Sequence, residues 1–314
     1  MTINYLNGKT LFVVNLRNSE GGQLYGKIAE YLLENNFQGV AVKVCHGNHF
    51  NPLHPPTDMD ELVRRLAGRV AVYGWHWNEG FDPEGEATIA VDAINRWKLR
   101  AYMMDYESPM KSRPDAQVPI LSHFRIRKPS FPLGLCSYRY PVYHPEILWN
   151  EILPFFDFHA PQVYWEELHN PVEQLDRSYS ELIALKDMPF IPVGAAYSDD
   201  PEKWKPTELD IRAFDAACQS KGFPGAQYFS YRGAKSLGLL PVLADLDWGV
   251  PAPVPDPDPP IDCQALIDAA VAECRAEYEL MIKEINDRHM VELVETARRA
   301  NNEALESLID PYRK

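Results

Sequence analysis

The chain is short of cysteine, short of positive charge and without any long apolar run, and each shortage closes off a class of protein. Its five cysteines, Cys45, Cys136, Cys218, Cys263 and Cys274, are odd in number and scattered. That pattern fits reduced thiols and excludes a dense disulfide framework. Against 45 acidic residues stand 31 lysines and arginines, a net charge of −14. A general nucleic-acid surface is thereby excluded, because phosphate binding depends on cations that displace counterions. No window approaches the roughly 18 consecutive apolar residues of a membrane span. The opening "MTINYLNGKT" carries neither a basic leader nor an apolar segment, so no signal peptide is expected. Synthesis in the cytoplasm follows, with release on lysis or incorporation into a virion as the routes out. No Gly-x-Gly-x-x-Gly follows the first apolar run, and no Gly-x-Ser-x-Gly elbow is present; no cofactor and no serine triad are expected.

What is present is a repeating alternation. Apolar runs at "LFVVNL", "GVAVKV", "VAVYGW", "RAYMMD", "PLGLCSY", "PQVYW", "FIPVGAAY" and "GAQYFSY" are separated by segments with helical spacing. Strands alternating with helices pair in parallel through right-handed crossovers. Eight such units predict a (β/α)8 TIM barrel over residues 1–248. Residues 249–260 are proline-rich, with six prolines among the ten residues 251–260, and predict a semi-rigid spacer. Residues 261–314 predict one long helix: Ile267, Val271, Cys274, Tyr278, Met281 and Ile285 recur at alternating spacings of four and three, a coiled-coil seam suited to a homo-oligomer or a docking partner.

The chemistry concentrates at the fourth run, "LRAYMMDYES", which ends in Asp105 and Glu107. Residues two apart on a strand share a face, so both carboxylates point toward the barrel axis at the C-terminal mouth, where this fold does its chemistry. Two carboxyl groups there suit glycoside hydrolysis, with Glu107 as proton donor and Asp105 as the second charge. The competing reading is a solvated strand end, or a pair neutralised by Lys43 and Arg139. Trp75, Trp77, Tyr138, Tyr164, Trp165, Tyr197 and Tyr228 fall at the same predicted end. Any one of them alone reads as packing; together they suit the apolar faces of sugar rings. The loop "CHGNHFNPLHPP" collects Cys45, His46, His49 and His54 but fits no tight metal-ligand spacing, and no metal is expected.

With Asp-x-Glu closing the fourth strand, "VAVKVCHG" the second, "VAVYGWHW" the third, "LGLCSY" the fifth and "AQYFSY" the eighth, the barrel resembles the family 25 glycoside hydrolases, the lysozyme-type muramidases. That resemblance implies cleavage of an N-acetylated polysaccharide, cell-wall peptidoglycan first. It implies Glu107 as general acid, Asp105 orienting the reacting sugar, and Lys43 as the second-strand lysine. The chain departs from the family at Asn15, where an acid is usual, and at Cys45-His46-Gly47. The chitinase-like family 18 barrels are the neighbouring resemblance: they too end the fourth strand in Asp-x-Glu, and their sixth-strand tyrosine corresponds to Tyr164. Arg100 and Met103 stand where that family's longer motif has aspartates. The expected function is a glycosidase; the alternative is a barrel that binds a glycan without cleaving it, as a structural or virion-associated adhesion protein.

Overall fold

The structure, a computed structural model, describes residues 6–249. Beyond its first residue the expected proline-rich spacer lies outside the described residues, as does the expected coiled-coil helix. The eight strands are β1 (Gly8–Val13), β2 (Gly39–His46), β3 (Ala71–Trp77), β4 (Tyr102–Tyr106), β5 (Leu133–Ser137), a divided β6 (Phe158–His159 and Gln162–Val163), β7 (Val193–Ala195) and β8 (Gly225–Phe229). Each pairs in parallel with its sequence neighbours, and β1 pairs with β8 through Gly8 opposite Gly225. The two halves of β6 carry the ring across its weakest point. The first half pairs with β5 and the second with β7, and the bridges Tyr138 to Gln162 and His159 to Phe190 join each half to its other neighbour. The result is an α/β barrel of the TIM type.

The interruption of β6 has a local cause. Pro161 lacks an amide hydrogen and cannot donate to a ladder, so its carbonyl alone serves the ring, accepting from Val193 N at 2.9 Å. The run "PQVYW" therefore marks only the second half of the strand. The first half, Phe158–His159, lies before the proline.

Helices α1 (Tyr25–Glu34), α2 (Pro56–Leu66), α3 (Pro83–Trp97), α4 (Pro114–Arg127), α5 (Trp149–Ile152), α6 (Pro171–Leu185), α7 (Glu208–Ser220) and α8 (Tyr231–Ser236) form the outer layer, closed by α9 (Leu240–Asp245). Their starts are written in the sequence. Asp82 caps α3 by accepting from Gly85 N at 3.0 Å, and Thr207 with Asp210 forms a reciprocal capping box on α7. Inside the ring there is no room to spare: a Cβ on Gly134 would lie 2.1 Å from the Phe158 ring.

Opposite the mouth, Lys9 of β1 is buried, and its ammonium donates to the carbonyls of Leu243, Ala244 and Leu246 at 3.1, 2.7 and 2.7 Å. Burial lowers its pKa to about 8, which still leaves three hydrogens for three acceptors at neutral pH. These bonds fasten α9 across the end of the barrel. Lys9→Met keeps the apolar stem and strands three carbonyls; urea unfolding should show a loss of about 3 kcal/mol, with faster amide exchange confined first to residues 240–246.

Candidate active site

The mouth of the barrel opens into a cleft of about 550 Å³. Each strand contributes through alternate residues, so the lining can be traced around the ring: Phe12 from β1, Trp75 and Trp77 from β3, Asp105 and then Glu107 from β4, Cys136 and Tyr138 from β5, Gln162 and Tyr164 from β6, Tyr197 beyond β7, and Phe229 from β8. Phe12, Trp75 and Phe229 form an aromatic floor, with centroids 5.8 to 6.4 Å apart. Tyr164 and Tyr197 meet edge to face at 5.2 Å and form one wall. On the other side Tyr138 stacks on His144 at 3.6 Å. The β2 lysine, Lys43, lies over both indoles, 5.2 Å from Trp75 and 5.3 Å from Trp77.

The two acids are held together. Gln162 Nε2 donates to Asp105 Oδ1 at 3.0 Å and also to Glu107 Oε1, and the two carboxyl groups act on each other's ionisation. Asp105 is 4% exposed. Its pKa rises well above the ordinary carboxylate range, first because burial disfavours the anion and then because Glu107 repels it. The Glu107 carboxyl is also raised by burial, with Gln162, Asp105 and Lys43 pulling the other way. Two acids this close titrate as one unit that gives up its last proton late. Burial in turn lowers the pKa of Lys43, against the attraction of Asp105, Glu107 and Glu79.

Neighbouring loops are fixed by buried polar groups. Asn51 Nδ2 donates to Val14 O at 2.8 Å and Lys43 O at 2.9 Å, tying the ends of β1 and β2. Glu86, fully buried, accepts from Asn78 Nδ2 at 2.9 Å and Gly80 N at 2.6 Å and so shapes the loop that follows Trp77. The histidines of the "CHGNHFNPLHPP" loop diverge: His46 turns to Glu79 at 3.2 Å, while His54 is buried and faces Leu16 N at 3.4 Å.

Of the sequence candidates, Lys43, Trp75, Trp77, Asp105, Glu107, Tyr138, Tyr164 and Tyr197 come together at this cleft. Three do not. Trp165 follows Tyr164 and therefore points outward, fully buried against Phe214 of α7 at 5.2 Å. Tyr228 precedes Phe229 and does the same, its hydroxyl donating to Asp215. Asn15 lies past the end of β1 and closes its own turn, accepting from Arg17 N at 2.9 Å. Phe12 is what β1 supplies to the lining. Strand parity was the available signal for Phe12, Gln162 and Phe229: Gln162 is two residues before Tyr164, and Phe229 is one residue after Tyr228. Cys136 stands directly opposite Asp105 in the ladder.

No protein-family model matches the chain, and no curated protein matches it. Solved structures of similar fold do. A family 18 N-acetylglucosaminidase from Paenibacillus barengoltzii superposes with a TM-score of 0.53 at 13% identity, over 76% of this chain and 99% of that one. The Bacillus cereus spore cortex-lytic enzyme SleL gives 0.55 at 12%, over 76% and 74%. A class V chitinase from tobacco gives 0.57 at 10%, over 78% and 99%. These likenesses show the barrel fold, and most of the solved structures named here are chitinase-type barrels of family 18, none a family 25 muramidase. This corrects the family 25 resemblance, whose one moderately specific motif, Asp-x-Glu after the fourth strand, is common to both groups.

Two outcomes follow from this geometry. Tyr228→Phe should lower stability by about 1–2 kcal/mol in urea, because Asp215 loses a buried donor, and should leave glycan binding alone; Tyr164→Phe should do the reverse. For the acid pair, folded pKa values lie above unfolded ones, so the native state binds more protons and stability declines as pH rises from the ordinary carboxylate range through the raised pair values. Asp105→Asn removes one member, and thermal melting from pH 4 to 9 should show a flatter pH dependence and a higher midpoint at the alkaline end.

Proposed function

We propose that the chain is a glycoside hydrolase acting on an N-acetylated glycan of the chitin or cell-wall type. The observation that carries this reading is the joining of Asp105, buried, and Glu107, half-buried, at the base of an aromatic cleft by a shared donor, Gln162. Burial raises the pKa of both acids, the direction that suits a carboxyl group for donating to a departing glycosidic oxygen. The aromatic lining suits sugar faces, and fold neighbours that include an N-acetylglucosaminidase, a chitinase and a spore cortex-lytic enzyme lend it support.

In this reading Glu107 protonates the leaving oxygen as the bond to the anomeric carbon breaks. Both acids project from one strand on one side of that bond. The remaining carboxylates of the lining, Glu166 and Asp199, are exposed, and Glu166 already accepts from Tyr197 at 3.2 Å. The nucleophile is then the acetamido oxygen of the substrate itself, the route open to enzymes without a second carboxylate across the bond. Asp105 accepts the acetamido N–H and so turns the oxygen toward the anomeric carbon. The Tyr164 hydroxyl, without a protein hydrogen-bond partner among the described residues, holds the acetamido group from the far side. Water then opens the cyclic intermediate, and Glu107 takes back its proton. The seam at 267–285, read from sequence, supports attachment of this barrel to a second copy or a partner.

Glu107→Gln removes the transferable proton and keeps the hydrogen-bonding shape. Reducing-end release from chitin oligomers and turbidity clearing of peptidoglycan should fall by about 10²–10⁴-fold, with the unfolding midpoint preserved. A parent protein that binds these glycans and cleaves none would replace the hydrolase reading with the adhesion reading.

A further inference from the structure

We infer that Gln162 is a positioning residue that holds the Asp105 and Glu107 carboxyl groups side by side at the base of the cleft by donating to both. The inference deepens the hydrolase reading and rests on it only where catalysis is measured.

A primary carboxamide nitrogen has two hydrogens and no lone pair to offer. Here the one nitrogen faces Asp105 Oδ1 at 3.0 Å, Glu107 Oε1, and Cys136 Sγ at 3.8 Å. Turned the other way, the amide would offer a carbonyl oxygen, which can serve a protonated carboxyl but repels an ionised one; the nitrogen serves both members at once. Asp105 Oδ1 and Glu107 Oε1 therefore act as acceptors toward Gln162.

The position of Gln162 is rigid enough for this task. Its backbone lies in the second half of β6, paired with Val193 on one side and bridged to Tyr138 on the other. Pro161 immediately before it limits the backbone further. Other groups that face the pair are Lys43 from β2, Cys136 and Tyr138 from β5, Tyr164 from β6 and Tyr197 beyond β7. Among these, Lys43 is attached to the pair by charge alone, whereas Gln162 donates to both members at once.

The test uses the full chain with Gln162→Met, which keeps the unbranched shape and removes the donor, and Gln162→Glu, which keeps a polar side chain and adds a third acid. The pair is titrated directly by carbon-detected NMR of ¹³C-labelled Asp and Glu carboxyl groups, with circular dichroism and melting as folding controls. Loss of a donor to the anion raises its pKa. The carboxyl titration should move upward by about one pH unit in Gln162→Met and further in Gln162→Glu, and the alkaline limb of kcat/KM on a chitin oligomer should move with it. Unmoved titration in either folded variant overturns the inference, even if kcat drops. A parent that cleaves no glycan while its pair still responds to Gln162 keeps the inference and removes the hydrolase reading. An active parent whose pair ignores Gln162 does the opposite.

Discussion

Everything in this barrel depends on the two-residue alternation of side chains along strands that close on themselves. A closed parallel ring has one inside, and each strand can address it only through every second residue. The mouth is therefore assembled from pairs two apart: Trp75 and Trp77, Asp105 and Glu107, Cys136 and Tyr138, Gln162 and Tyr164. The residues between them, such as His76, Tyr106, Val163 and Tyr228, are committed to the layer between strands and helices. Chemistry and packing are thus interleaved along the same short stretches, and neither can be shifted by one residue without exchanging places with the other.

The same constraint explains what was legible beforehand. The alternation of apolar runs with helical segments declared the barrel, and Asp105 with Glu107 declared its mouth. Trp165 and Tyr228 were grouped with the site by nearness to strand ends, without regard to face, and Asn15 through the family 25 resemblance. Parity sends Trp165 and Tyr228 outward, and Asn15 lies beyond the ladder. Gln162 was missed for a different reason: an amide in a strand carries no chemical signature of its own. Its role comes from lying two strands along from β4, across β5, at a height set by the ladder through Tyr138. Nor could short motifs separate two groups of barrels that end the fourth strand alike.

The acid pair also shows where the molecule is under tension. Asp105 and Lys43 are buried and Glu107 is half-buried at the base of a cleft. The Gln162 amide, the Lys43 charge and the two indole faces under it are what make the arrangement tolerable. At the closed end the logic is reversed: Lys9 is just as deeply buried, but its three carbonyl acceptors answer each of its hydrogens. One buried cation is thereby a fastener, and the other part of a poised cluster.

That fastener, together with the pairing of Gly8 with Gly225, bears on how the chain is made. Lys9 bonds to carbonyls 234 to 237 residues further along the chain. Within the barrel β1 is synthesised first, and its second neighbour does not exist until nearly the whole barrel has been made. Throughout that interval β1 presents an unpaired edge, and Lys9 is a charge with nowhere to go. Such long-range closure slows folding and leaves an open sheet edge exposed to other chains. A hydrophilic cation on that waiting edge discourages premature pairing during elongation, and the same side chain seals the ring when its last segment arrives.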